Sequence, residues 1–293
     1  RTVHISTKKD AYAFIQMNRD RFSIVNMCRM LDVSRNGFNS WFRRGKSLRS
    51  QEDEKLYLLI KKVFERHKGH YGSPKITKTL RDEGVAVGQK RVARIMREQG
   101  LSATKAKLYP PKKKNNGSIH ASPNLIRELD VNRPNQLWVG DITYIKLESG
   151  EWLYLSAIMD RFTRQLISWS VGPKRDAALT CGTLSRAVRN RNYPDGVIYH
   201  SDKGSEYIAN SFRNKLAYYG IKQSMNRKQM MNDNAFMESF FNTMKIESIK
   251  LQPITSEKFL RRIASQYIRY YNRKRIHMSI GGITPNDCEL QYC

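Results

Sequence analysis

Cysteines, acidic residues and long apolar runs are all scarce in this 293-residue sequence. None of the four cysteines, Cys28, Cys181, Cys288 and Cys293, belongs to a Cys-x-x-Cys pair or a zinc-like spacing with histidine. A disulfide-stapled scaffold and a zinc finger are therefore excluded, and reduced thiols in a cytoplasmic protein are predicted. No stretch approaches the roughly 18 consecutive apolar residues of a membrane span. The polar start of the chain does not have the pattern of a signal peptide.

Positive charge is what the sequence has in excess. It contains 53 Lys and Arg against 26 Asp and Glu, a formal net charge of +27. Residues 1–130 hold 29 basic and 12 acidic side chains (+17), and residues 131–293 hold 24 and 14 (+10). Such a surplus predicts a soluble polyanion as partner, which in practice means nucleic acid. The apolar fraction of 40% is enough for a buried core and excludes wholesale disorder.

Residues 1–50 show the pattern of a helix-turn-helix. Ser23 is placed to cap one short helix, and Ser34 to cap a second helix over residues 35–44 that ends before Gly45. Two short helices joined by a three-residue turn favour DNA binding, although a plain helical hairpin that packs on its neighbours has the same pattern. The side chains that the second helix would present to DNA include Arg35, Asn39 and Arg43.

Residues 51–102 predict a second helix-turn-helix, simple or winged. Apolar residues recur at helical spacing over 52–67, Ser73-Pro74 is typical of a helix start, and a third helix over 88–99 has an apolar side and a basic side. The basic side chains assigned to DNA contact are Lys90, Arg91 and Arg94.

Residues 103–130 are rich in helix breakers and lack periodicity, which indicates a linker. The run Lys112-Lys113-Lys114 makes this linker basic. Beside two predicted DNA-binding units we expect these lysines to follow the phosphate backbone, and a solvated spacer is the alternative.

From Asn135 onward the pattern is that of β-strands alternating with helices. Three strands, a helix, a strand, a helix, a strand and a helix predict an α/β ribonuclease-H-like core, a mixed five-stranded sheet with flanking helices, over residues 131–252. A helical tail would follow over 253–293. The predicted strands cover 137–145, 151–159, 165–171, 197–200 and 221–224, and the helices about 176–190, 206–219 and 232–250. Trp138, Trp152 and Trp169 are predicted to be core residues.

Three carboxylates are placed to form a metal site. Asp141 lies mid-strand, where an uncompensated charge is costly, Asp202 ends the fourth strand, and Glu238 lies on the last helix. Such hard oxygen ligands suit Mg²⁺ or Mn²⁺, and two ions about 3.5–4 Å apart catalyse in-line phosphodiester displacement. Asp141 and Asp202 would share the first ion and Glu238 would complete the second site. His200 is either an active-site neighbour or a packed, hydrogen-bonded strand-end histidine.

These residues also carry a resemblance to a known family. Over nearly its whole length the chain resembles bacterial insertion-sequence transposases of the IS-three group (OrfB type), relatives of retroviral integrases with an Asp-Asp-Glu triad. Asp202 and Glu238 are separated by 35 residues, the spacing of that superfamily. The other matching segments are Asn135-Gln136-Leu137-Trp138-Val139-Gly140-Asp141-Ile142-Thr143-Tyr144, Tyr270-Tyr271-Asn272-Arg273-Lys274-Arg275-Ile276-His277, Ile283-Thr284-Pro285, residues 67–101 and residues 29–34.

The resemblance implies a DNA transposase that cuts at the ends of its element and transfers the resulting 3′-hydroxyl by a copy-out, paste-in route. It implies at least a homodimer on double-stranded DNA comprising terminal repeats and target, an upstream-frame DNA-binding segment as partner, a bacterial nucleoid-associated location and no membrane. Lys245 matches a basic position of the family, seven residues beyond Glu238. Two departures are Gly140, where threonine is common, and residues 229–232, which replace a stretch that usually contains glycine.

The basic helix predicted over 257–271, with Arg273 and Arg275 just beyond it, would lie on DNA or on a second protomer, and a solvated face is the alternative. Among other functions, a silent DNA-binding regulator would have no use for the triad, and a ribonuclease-H-type or structure-specific nuclease would cut without specific ends. A tyrosine recombinase using Tyr270 or Tyr271 leaves Asp141 unexplained, as does a ribosomal or packaging protein.

Overall fold

A computed structural model describes residues 7–44, 47–104, 122–226 and 234–292. Lys112, Lys113 and Lys114 of the predicted linker lie outside these ranges, as do Gly45 and residues 229–232. Within the described part of the chain, no helix is long and apolar enough to cross a membrane.

Three short helices form the first unit: α1 (Lys8–Asn18), α2 (Ile24–Met30) and α3 (Arg35–Arg44). Helices α2 and α3 lie where the sequence predicts them, and the Ser34 hydroxyl accepts a hydrogen bond from the Gly37 amide at 3.3 Å. Helix α1 is an addition to the sequence prediction. Its signal is a capping box, in which the Thr7 hydroxyl and the Asp10 carboxylate each accept from the other residue's backbone amide. The unit packs around a small core of Ile15, Met27, Cys28 and Phe38.

The second helical unit consists of α4 (Leu48–Arg66), α5 (Ser73–Asp82) and α6 (Gln89–Glu98). Helix α4 begins before the predicted residue 52 because the Ser47 hydroxyl caps it, accepting from the Ser50 amide at 3.2 Å. Gly72 is the N-cap of α5, so Ser73 lies inside the helix rather than capping it. The apolar faces of the three helices form a core of their own around Ile60, Ile76, Leu80 and Val92.

A five-stranded sheet forms the centre of the third unit. Its strands are β1 (Leu137–Lys146), β2 (Trp152–Asp160), β3 (Leu166–Gly172), β4 (Ile198–Ser201) and β5 (Lys222–Met225). The order is β3-β2-β1-β4-β5, with β1, β2 and β3 antiparallel and β4 and β5 parallel to β1. This mixed sheet confirms the predicted ribonuclease-H-like fold.

Helices cover both faces of the sheet. Helices α7 (Ala177–Asn190) and α9 (Asn210–Tyr218) pack on one face, and α10 (Ala235–Glu247) and α11 (Glu257–Arg273) on the other. The single helix predicted over 206–219 is two, because the short α8 (Ser205–Ile208) ends at the extended residue Ala209. The chain ends in α12 (Pro285–Leu290), after short 3-10 turns at Ile249–Leu251 and Met278–Ile280.

Helix α11 is part of the same packed unit as the sheet. Its residues Leu260, Ile263 and Ile268 share one core with α10 and the sheet, so a boundary at residue 252 falls inside one packed unit.

Among the tryptophans, Trp138 is fully buried but Trp152 is 47% exposed. Trp152 lies opposite Lys146 at the end of the sheet, and there it stacks edge-on against Tyr144 instead of entering the core.

The second helical unit is docked onto the C-terminal segment. The Tyr71 hydroxyl accepts a hydrogen bond from the Ile276 amide at 2.9 Å and donates to the Lys274 carbonyl at 3.2 Å. The side chain of Ile276 packs against the core of the second unit. His67 stacks on Tyr71 with ring centroids 3.7 Å apart, and its Nδ1 lies 3.3 Å from the Tyr270 hydroxyl.

We predict that this interface makes the stability of the fold sensitive to acid. Burial, and then the positive charges of Arg66, Lys75 and His70, lower the pKa of His67 to about 4. Between pH 6.5 and 4 the unfolded chain therefore binds a proton that the folded chain does not, so this contribution to stability is lost as the pH falls through that range. Thermal unfolding midpoints measured from pH 7.5 to 4.5 should fall less steeply in a His67→Phe variant, which keeps the ring. Identical slopes would contradict the prediction.

Gly140 has a packing reason to be glycine. A Cβ atom at this position would lie 1.8 Å from the hydroxyl oxygen of the buried Tyr199. We expect Gly140→Ala to lower the free energy of unfolding by about 1–3 kcal/mol through overpacking. Gly182→Ala is the matched control, because its Cβ meets nothing within 4 Å in the middle of α7, where alanine adds about 0.5–1 kcal/mol. A Gly140→Ala protein as stable as the wild type in urea titrations would overturn this explanation.

Candidate active site

The parallel pairing of β1 and β4 brings two of the predicted carboxylates together. The register pairs Leu137 with Ile198 and Val139 with His200. Asp141 lies two residues beyond the last paired residue of β1, and Asp202 lies two residues beyond that of β4, directly after this strand ends at Ser201, so both carboxylates come to the same end of the strand pair. Neighbouring strands lie about 4.8 Å apart and side chains two residues on return to the same face. Both carboxylates raise the pKa of the Tyr199 phenol, whose main perturbation is its complete burial.

Backbone amides hold the two carboxylates in place. An Asp141 oxygen accepts from the Ile142 amide at 2.8 Å, and an Asp202 oxygen accepts from the Gly204 amide at 2.9 Å. The two aspartates thus occupy fixed positions at the end of β4 and the middle of β1, and both remain partly exposed to solvent.

Helix α10 carries the third carboxylate over the same region. Its buried stripe is the predicted one, Met237, Phe240, Phe241 and Met244. The Asn234 amide group, at the N-cap of the helix, donates to the carbonyl of Gly140, next to Asp141, at 3.2 Å. Glu238 lies four residues after Asn234 and therefore one turn further along the same side of the helix. Its side chain is exposed.

The donor set fits a hard divalent ion, although the three carboxylates do not form a closed cluster. Among the described residues, no group of three or more His, Cys, Asp or Glu side chains is arranged to hold a metal ion. Asp141 and Asp202 already supply oxygen ligands from adjacent strands, as Mg²⁺ and Mn²⁺ require.

An ion pair between the partly exposed Arg175 and the buried Glu206 supports the loop that follows Asp202. Nε and one terminal nitrogen of Arg175 lie 2.9 and 2.7 Å from the same oxygen of Glu206, whose side chain is 1% exposed. Burial lowers the pKa of Arg175, but the hydrogen bond to Glu206 and the charges of Glu206, Asp202 and Asp141 outweigh it and raise the pKa. A Cβ at Gly204 would lie 2.4 Å from that carboxylate, so the loop requires glycine there. The sequence analysis did not single out this pair, because its two residues are far apart in the chain.

Lys245 and His200 lie on either side of this site. The Lys245 ammonium lies 4.9 Å from the Tyr144 ring centroid, and burial lowers its pKa while the Asp141 charge partly restores it. The His200 ring is fully buried, with Nδ1 2.9 Å from the Ser224 hydroxyl and Nε2 2.6 Å from the Asn226 amide oxygen. His200 is thus the packed, hydrogen-bonded histidine at the end of β4, and its ring contacts link this strand to β5 and the residue that follows it.

The predicted DNA-contact side chains of the helical units differ in exposure. Arg35 and Arg43 on α3 are exposed, and Asn39 is half-buried. Lys90 on α6 is exposed as well. These residues remain predictions, since exposure alone does not identify a DNA contact.

Arg91 and Arg94 are less available than their spacing indicates. Arg91 pairs with Glu52 and Asp53 at 3.0 and 2.7 Å, and Arg94 pairs with Asp53 at 2.6 Å. Their charges are therefore partly neutralised within the second unit, where the pairs tie α6 to α4.

At the C-terminal segment, Arg273 is exposed, but Arg275 is not a DNA-facing residue. Its guanidinium binds Glu247 of α10 at 2.8 and 3.1 Å, and the side chains of the two residues are only 13% and 5% exposed. Tyr271 is buried among apolar residues, which removes it as a recombinase nucleophile.

Comparisons with known proteins show the family to which the chain belongs. Residues 131–230 and 219–285 match integrase core domain families, and residues 50–108 match the HTH-like domain. The chain is 36% identical over 282 residues to the transposase InsF for insertion sequence IS3A of Escherichia coli, covering 95% of this chain and 98% of InsF. This chain belongs to the family of insertion-sequence transposases. The transposase is also 35% identical over 268 residues to an uncharacterized 31 kDa protein of insertion element IS600 from Shigella sonnei, covering 91% and 98% of the two chains.

Solved structures similar to the transposase are retroviral integrases. The HTLV-2 integrase catalytic core domain in complex with magnesium is 20% identical with a TM-score of 0.41, covering 53% of this chain and 97% of that one. A simian T-cell lymphotropic virus intasome chain is 15% identical with a TM-score of 0.46, covering 78% and 74%. By its family the transposase is an enzyme of DNA transposition, a polynucleotidyl transferase with an integrase core and an HTH-like domain.

Proposed function

We propose that this transposase cleaves DNA at the ends of its insertion sequence and transfers the resulting 3′-hydroxyl by two-metal, in-line phosphoryl transfer. The proposal is supported by the parallel pairing of β1 with β4, which brings Asp141 and Asp202 to the same end of that strand pair. Asp141, Asp202 and Glu238 would hold two Mg²⁺ or Mn²⁺ ions. Such ions activate a water or a 3′-hydroxyl and stabilise the leaving oxygen.

The residues of the chain supply position and charge. The aspartates are fixed by backbone amides, and Glu238 can approach them from α10 as the DNA strand enters. Water cleaves the phosphodiester at the end of the element, and the freed 3′-oxygen then forms a new ester bond with a second phosphorus and releases that strand's 3′-oxygen. No side-chain nucleophile is needed, so no covalent protein–DNA intermediate forms.

The remaining parts would bind DNA and assemble the complex. We assign residues 1–50 and 51–102 to binding of the terminal repeats and residues 103–130 to a basic linker. Residues 131–252 form the catalytic domain, together with the helices of 253–293 that pack on it. The active form would be a homodimer or larger assembly joining two ends with target DNA, aided by an upstream-frame DNA-binding segment, in the bacterial nucleoid.

A strand-transfer assay on labelled end DNA tests the proposal. With Mg²⁺ we expect joined products from the native end sequence, with EDTA none, and with a scrambled end of equal length at least about tenfold fewer. Cutting that ignores the end sequence would indicate a nuclease instead. End binding without any joined product in Mg²⁺ or Mn²⁺ would indicate a DNA-binding regulator.

A further inference from the structure

A cavity of about 340 Å³ lies beside the turn that joins β2 to β3. Two arginines, Arg161 and Arg164, line it together with Ser279 and Gln291, and no carboxylate does. The cavity is therefore positively charged and carries hydrogen-bond donors, which suits an anion.

Neither arginine has an acidic partner in the described part of the chain. Burial lowers the pKa of both guanidinium groups, that of Arg164 to about 10 with a further contribution from the charge of Arg161, and no carboxylate offsets this. The Nε atom of Arg164 is buried with no hydrogen-bond partner among the described residues. Two desolvated positive charges without a carboxylate partner are costly unless a counter-charge binds to both of them.

The neighbouring Asp160 does not supply that counter-charge. One of its oxygens accepts from the Phe162 and Thr163 amides at 2.9 and 3.1 Å, and the other accepts from the Asn135 amide at 2.7 Å. The carboxylate thus shapes the turn through backbone bonds. Arg164 has a φ of +63°, a conformation that few non-glycine residues adopt, so the turn holds its side chain in place at some cost in backbone energy.

The two arginines also lie next to the catalytic helix. Their guanidinium carbons are 3.5 and 3.7 Å from the ring centroid of Phe236. On one face of the ring the two groups would overlap, so they lie on opposite faces. Phe236 precedes Glu238 by two residues on α10. The pair is therefore packed against the helix that carries the third carboxylate.

We propose that Arg161 and Arg164 bind a backbone phosphate of the DNA strand that passes the three carboxylates. This assignment rests on the proposed function, which makes DNA the substrate. A guanidinium presents planar N–H donors that match phosphate oxygens, and a phosphate would neutralise both charges and satisfy the orphaned Nε. Because the same turn stacks on Phe236, the bound strand would be held at a fixed distance from α10.

Salt dependence of end binding tests the proposal in EDTA, where no catalysis occurs. Loss of the contact to one phosphate should reduce the slope of log K against log salt by about 0.9 in an Arg161→Gln/Arg164→Gln protein. Between 50 and 200 mM salt the wild type should therefore lose about threefold to fourfold more affinity than the variant does. The matched control is Arg189→Gln/Arg213→Gln, which removes two exposed charges from the opposite side of the sheet and should keep the wild-type slope.

Phe236→Leu separates phosphate binding from support of the helix, because it keeps both arginines. We expect it to retain the wild-type salt slope. If the double arginine variant also retains that slope, and matches Phe236→Leu in strand transfer, the arginines only hold the helix and the proposal is wrong. A loss of strand transfer in the triad variants leaves this binding measurement unaffected, so the two proposals fail separately.

Neutral methylphosphonate linkages, placed one at a time in the end duplex, identify the source of the phosphate. One or two positions should weaken binding by the wild type and not by the double arginine variant. Inorganic phosphate at matched ionic strength is the second arm and should have no arginine-dependent effect. If it competes only when both arginines are present, and no duplex position does, the cavity binds free phosphate and the assignment to DNA is overturned.

Discussion

A Glu238→Gln transposase should bind end DNA with unchanged affinity and join no detectable product. Glutamine keeps the size of the side chain but removes the charge that would hold a divalent ion. Several kcal/mol of charge stabilisation in the transition state are then lost. The rate of strand transfer should therefore fall by about 1,000-fold or more. Single-turnover strand transfer on labelled ends, alongside a gel-shift measurement of binding, reads out both quantities.

The control for this result is the same chemical change at an unrelated carboxylate. Glu148 is exposed after the end of β1, so Glu148→Gln should keep the wild-type rate. Asp141→Asn and Asp202→Asn should match Glu238→Gln, because each removes one of the carboxylates proposed to hold the ions. Full joining activity in Glu238→Gln would contradict the assignment of the three carboxylates as metal ligands.

Local patterns in the sequence predict the architecture of the catalytic domain well. Strand periodicity and turn residues fix the five strands to within about one residue, and the apolar stripe of α10 follows from helical spacing alone. From these, a common end of the sheet for Asp141 and Asp202 can be predicted, since topology decides which strands are neighbours. The position of Glu238 relative to them cannot be predicted at the same precision, because it depends on how α10 packs and on the rotamer of an exposed side chain.

Features that depend on distant partners could not be predicted from spacing. Position 140 requires glycine because the Tyr199 hydroxyl occupies the space of a Cβ atom, and Arg275 is largely buried because it pairs with Glu247. A basic residue near a helix end predicts an exposed charge unless its acidic partner is known, and that partner lies 28 residues away in the chain. The same limitation applies to the pairs that Arg91 and Arg94 form with Asp53, which belongs to another helix.

The ion pair of Arg275 with Glu247 leads to the second large prediction. Arg275→Met should lower the free energy of unfolding by about 3–5 kcal/mol, because it leaves the buried Glu247 carboxylate without its counter-charge. The Tyr267 hydroxyl, which donates to Glu247 at 2.9 Å, is then the one recorded partner of that carboxylate among the described residues. Urea unfolding at pH 7.5 measures the loss.

Two further variants distinguish a broken buried pair from a general loss of charge. Asp82→Asn breaks the more exposed pair with Lys78 and should cost at most about 1 kcal/mol. Glu247→Leu combined with Arg275→Met removes both charges and should recover most of the stability, since an apolar pair can replace a buried ion pair. A DNA-contact role for Arg275 predicts the opposite pattern, with unchanged stability and weaker end binding. Glu247 lies on the helix that carries Glu238, and Tyr71 of the second helical unit contacts the backbone on both sides of Arg275. The Arg275→Met variant should therefore lose strand transfer more than end binding.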